Sequence, residues 1–92
     1  MRVEDIIRRR LGAALSPRFL EVTDNSARHR GHAGWREGGQ THFQLRIVAD
    51  EFTGLGRLQR QRLVHRILAA ELAGPVHALE ISALAPGEDG AG

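Results

Sequence analysis

His42-Phe43-Gln44-Leu45-Arg46-Ile47-Val48-Ala49 is the stretch on which the fold turns. Phe43, Leu45 and Ile47 fall on one side of an extended chain, and His42, Gln44 and Arg46 on the other. That period of two marks a strand with one buried face. Downstream, Asp50 to Gly56 reads as a turn containing Gly54 and Gly56. From about Arg57 to Ala73 the period lengthens, and Leu63, Val64, Ile67, Leu68 and Leu72 form the apolar arc of a helix. Gly74-Pro75 stops it, and a third strand follows at once with His77, Leu79, Ile81 and Ala83 on one face.

Upstream, Phe19 to Thr23 reads as a short strand, with Leu20 and Val22 flanking polar Glu21. Before it, Val3, Ile6, Ile7, Leu11, Ala14 and Leu15 recur at helical spacing, and Ser16-Pro17 ends the helix. The order is therefore helix, strand, strand, helix, strand. The first two strands pair antiparallel, and a right-handed crossover leaves the third parallel to its neighbour. Both helices then cover one face of a three-stranded mixed sheet, an α+β two-layer sandwich. Residues 1–85 make this domain, and residues 86–92 a flexible tail rich in Gly, Ala and acid.

Composition narrows the chemistry. A chain of 92 residues has room for one domain and little room for a deep enclosed active site. It contains no cysteine, which removes disulfides, thiol nucleophiles and thiolate ligands from its own repertoire. Its pI of 10.9 suggests a nucleic-acid binder, yet the formal net charge is only +2. All 13 basic residues are Arg, so nothing titrates between His and Arg, and the high pI does not report a strong field. No apolar run is long enough to span a bilayer. Met1-Arg2-Val3-Glu4-Asp5 enters a charged amphipathic pattern directly, so neither a leader nor a membrane partner is expected, and the cytoplasm is the expected compartment.

The segment from Asp24 to Gln40 has no usable periodicity and holds four Gly, two His, three Arg and Trp35. Loops of this length inside small domains are more often functional than short ones. Trp35 is either a packing lid or a contact for a partner. Catalysis has little footing: Asp24, Ser26 and His29 share one loop without an oxyanion scaffold, and no enzyme is expected.

Five pieces in register are similar to one family. Asp24-Asn25-Ser26-Ala27-Arg28-His29, Thr41-His42-Phe43, Phe52-Thr53-Gly54, Arg60-Gln61-Arg62-Leu63-Val64 and Gly74-Pro75-Val76-His77-Ala78-Leu79 resemble the BolA family over nearly the whole chain. One departure is Gln61, where the family usually carries a histidine between two arginines. The resemblance implies a fold related to the class II KH domain. It also implies pairing with a monothiol glutaredoxin carrying a CGFS motif, with or without a shared [2Fe–2S] cluster. In such a pair the glutaredoxin and its glutathione give thiolates, and this chain gives histidines, in iron–sulfur trafficking or iron homeostasis. By position, His77 is the strand-three ligand and His29 the loop ligand, with His32 as the alternative three residues on. Whether the free chain also forms a weak homodimer stays open.

The residues themselves are compatible with that implication. Without cysteine, imidazole is the ligand this chain can add to borrowed sulfur, as in mixed thiolate–imidazole centres. Imidazole must be neutral to ligate, so such binding weakens below about pH 6–6.5. The plainer reading of His77 is a half-buried strand-end residue beside Leu79 and Ile81; that of His42 is a cross-strand hydrogen bond or a solvated edge. His65 reads as surface.

A second implication is DNA binding and transcriptional regulation through Arg57, Arg60, Arg62 and Arg66. Arg62 and Arg66 share the solvent face of the helix, whereas Arg60 falls within the apolar arc and should snorkel or pair with Asp50 or Glu51. Gly54-Leu55-Gly56-Arg57 is not the GXXG loop of nucleic-acid-binding KH domains. Two of the three Phe are needed for the core, leaving no stacking platform.

Overall fold

The strand and helix periods are both realised, and the places where they break position the site. The computed structural model describes residues 2–26 and 40–88. Helix α1 (Val3–Leu15) carries Glu4 and Asp5 in its first turn, where carboxylates favour the helix dipole. It ends at Ser16, left-handed with φ 47°, immediately before Pro17. Its buried seam is Val3, Ile7, Leu11 and Leu15, one residue per turn, while Ala14 is exposed.

Strand β1 (Phe19–Asp24) pairs antiparallel with β2 (His42–Val48), and β2 pairs parallel with β3 (Ala78–Leu84), so β2 is central. Val22 lies opposite Leu45, and Leu45 opposite Ile81. Partners share a face, so these rows build the apolar layer that α1 and the second helix cover. Phe43 and Phe52 join that core, while Phe19 stays exposed beneath the Arg46 guanidinium, 5.8 Å from the ring centre. Gly54, at φ 83°, closes the turn after Phe52 in a conformation that glycine adopts at least cost.

The second helix is two pieces rather than one, α2 (Arg57–Ile67) and α3 (Ala69–Ala73), jointed at Leu68. Helical bonding continues through the joint, from Leu68 N–H to Val64 O (3.0 Å) and from Leu72 N–H to Leu68 O (2.9 Å). Val64 and Leu68 are buried there, and Glu71 is turned under to meet Arg10 of α1 at 2.8 Å. One Glu71 oxygen, Oε1, is buried without a partner among the described residues.

Arg60 is half-buried, as its place in the apolar arc requires, but neither Asp50 nor Glu51 holds it. Asp50 is taken by Arg18 at 2.8 Å. Arg60 instead donates to the carbonyls of Leu55 (2.9 Å) and Ala83 (3.1 Å) and to the carboxylate of Glu88. Residues 86–88 form a turn, and Glu88 also accepts the Ala85 N–H at 2.8 Å. No helix among the described residues is long and apolar enough to cross a membrane.

Candidate functional site

Parallel pairing of β2 with β3 brings Thr41 and His42 beside His77 and Ala78. The Thr41 carbonyl accepts both the His77 N–H (2.8 Å) and the Ala78 N–H (3.2 Å), which fixes the backbone where β3 begins. His77 itself precedes the strand and is exposed, not half-buried beside Leu79 and Ile81. Alternation places a residue on a face only within the strand, and His77 lies just outside it. His65 is also exposed.

His42 is the departure from expectation. It lies on the polar face of β2, yet it is only 6% exposed, so it is no solvated edge. Its Nδ1 lies 2.8 Å from the Thr41 hydroxyl oxygen. Its ring stacks on that of His77, with centroids 6.4 Å apart and planes 20° from parallel. A cleft of about 190 Å³ opens beside the pair, lined by Asn25, His42, Phe43, Ala78, Leu79 and Glu80.

A polar knot underlies this arrangement. The buried Ser26 hydroxyl oxygen accepts the N–H groups of Thr41 (3.0 Å) and His42 (3.1 Å), and it lies 3.2 Å from the Thr41 hydroxyl. The Asp24 carboxylate accepts the N–H groups of Ser26 (2.9 Å) and Gln40 (3.0 Å). The Asn25 N–H reaches the His42 carbonyl at 2.7 Å. Burial raises the Asp24 carboxyl pKa, but hydrogen bonds from Ser26 and Gln40, with Arg2 nearby, outweigh it and hold the group below its ordinary value. Residues 24–26 and 40–42 are thereby tied across the segment they flank.

His29, His32 and Trp35 lie outside the described residues. Of the sequence candidates for ligation, the structure therefore places His77, and beside it His42, which sequence reasoning had left aside. Ser26 and Thr41 were likewise missed as supports. Their signal, two small hydroxyl residues flanking a histidine-bearing segment, becomes readable only once the two strands are known to pair.

The donor set limits the chemistry. No group of three His, Cys, Asp or Glu among the described residues could hold a metal. What the site can offer is a single exposed imidazole on a rigid mount. That fits a shared cluster whose thiolates come from elsewhere, and it does not fit a metal site closed within the described residues.

The other candidate surface is α2. Arg57, Arg62 and Arg66 are exposed, whereas Arg60 is committed to Leu55, Ala83 and Glu88. Beside them, a cavity of about 540 Å³ separates α2 from the open edge of β3. At this edge the Gln61 amide donates to the Ile81 carbonyl at 3.3 Å.

Comparison with known proteins agrees with this geometry. The family profile described as BolA-like protein matches residues 11–88. BolA-like protein 1 of Pongo abelii is 50% identical over 88 residues, covering 96% of this chain and 61% of the relative. The chain thus spans about three-fifths of that relative's length. The DNA-binding transcriptional regulator BolA of Escherichia coli (strain K12) is 42% identical over 81 residues, covering 88% of this chain and 73% of the relative. Among solved structures, BolA1 from Arabidopsis thaliana superposes with a TM-score of 0.85 at 32% identity, covering 96% of each chain. A profile match over most of the sequence, half-identical relatives and a shared α+β fold with a mixed sheet together place this chain in the BolA family.

Proposed function

We propose that this chain is an adaptor that pairs with a monothiol CGFS glutaredoxin and lends His77 to a [2Fe–2S] cluster carried between them. The thiolates, including that of glutathione, come from the partner. The observation that supports this reading is the mounting of His77. A chain without thiols holds the His77 imidazole in solvent, on a backbone pinned twice to the Thr41 carbonyl. An exposed and well-fixed donor suits a site completed by a second protein, because the partner must reach it while its geometry is already set. The second histidine of such a site would come from the flanked segment, through His29 or His32.

Titration with a cluster-loaded CGFS glutaredoxin tests this reading. Visible circular dichroism should change on mixing, and His77→Ala should abolish the change while leaving the far-ultraviolet spectrum intact. If the spectrum of the mixture is unaffected by His77→Ala, the reading fails.

A second reading, DNA-binding regulation, is favoured by one observation: Arg57, Arg62 and Arg66 all stand exposed on one short helix. It also matches the name of the Escherichia coli relative. Gel-shift affinity should then fall steeply with salt and weaken uniformly in Arg62→Ala and Arg66→Ala. Salt-insensitive or absent binding would remove it.

A further inference from the structure

We propose that His42 is a positioning residue: its buried ring, stacked on His77, holds the exposed imidazole in one orientation. The inference rests on the reading of His77 as the donor and extends it to a residue that does not itself ligate.

An exposed histidine at the start of a strand ordinarily samples several rotamers, and each one it must give up on binding weakens the complex. Here the neighbour that could restrain it is itself restrained. His42 is buried, its Nδ1 is 2.8 Å from the Thr41 hydroxyl, and its own N–H is bonded to Ser26. The near-parallel pair, with centroids 6.4 Å apart, lies within the range in which flat rings attract, and that attraction favours one placement of the outer ring. Thr41 thus acts twice, its carbonyl setting the His77 backbone and its hydroxyl the ring on which His77 rests. A group that orients a ligand without touching the metal is a common device, and its loss typically weakens metal binding on the order of 10- to 100-fold.

The test uses isotopically labelled free chain and the mixed complex together. In the free chain, three-bond couplings across χ1 of His77 should report one dominant rotamer. His42→Leu, which fills the buried position with an apolar side chain but removes the flat ring, should give averaged couplings, and His42→Phe should restore them. In the complex with loaded glutaredoxin, His42→Leu should speed cluster loss to a chelator on the order of 10-fold, with His42→Phe close to the parent. Averaged couplings in the parent chain, or unchanged couplings in a folded His42→Leu, overturn the proposal. So does averaging in His42→Phe equal to that in His42→Leu. The couplings are read without any cluster, so positioning stands or falls independently of the donor reading. Retained cluster uptake in His77→Ala sinks the donor reading alone.

Discussion

At the scale of single residues, the site depends on a hydroxyl that carries no charge. Ser26 is 1% exposed and its hydroxyl oxygen accepts two backbone N–H groups. Ser26→Ala leaves both donors buried without an acceptor, each costing about 1–3 kcal/mol. We expect a loss of about 2–4 kcal/mol in urea unfolding with little change in the denaturant slope, because the surface exposed on unfolding is nearly the same. A loss below about 0.5 kcal/mol would mean that water replaces the hydroxyl. This residue also shows where sequence reading stops. Asp24, Ser26 and His29 are close in sequence and suggest a catalytic set, but Ser26 spends both lone pairs on the backbone. His42 makes the same point differently. Alternation assigned its side of β2 correctly and said nothing of depth, which depends on what else crosses that face.

At the scale of elements, pairing decides which charges meet. Phe19 pairs with Val48, which carries Arg18 alongside Asp50 and removes Asp50 as a partner for Arg60. No helical wheel contains that information, so the structural role of Arg60 was legible while its partner was not. Glu88 takes the place instead. The Arg60 guanidinium, helped by the Ala85 N–H, brings the Glu88 carboxyl from an ordinary 4.5 down to about 2. Because the folded value is the lower one, this contribution is complete above about 4.5 and disappears as pH falls toward about 2. Thermal unfolding of Glu88→Gln should therefore show a lower Tm than the parent at neutral pH and the same Tm near pH 2. A difference that persists at the acid end would assign the effect to packing. The effect should be modest, since Glu88 is about half exposed.

At the scale of the whole molecule, the element order and mixed sheet were readable because α1, β2 and β3 each show a clear period. The joint at Leu68 was not readable, because no Gly or Pro marks it; it follows from burying Leu68 while Glu71 turns under to Arg10. So small a domain has little reserve, with total stability on the order of 5–14 kcal/mol for its length. Phe52 is fully buried, and Phe52→Ala should cost about 3–5 kcal/mol, enough to shift calorimetric melting well below the parent or abolish it. An unchanged transition would show that the core repacks around the cavity.

The knot that ties residues 24–26 to residues 40–42 has a consequence for evolution. Its bonds use Asp24, Asn25, Ser26, Thr41, His42 and the backbone of Gln40, and the ones described above need nothing from the insert they close. Closure entropy grows only slowly with the number of residues enclosed. Inserts of different length and composition can therefore be exchanged between the two ends like cassettes in a holder. Lineages sharing this scaffold can in this way change what that segment carries without redesigning the core.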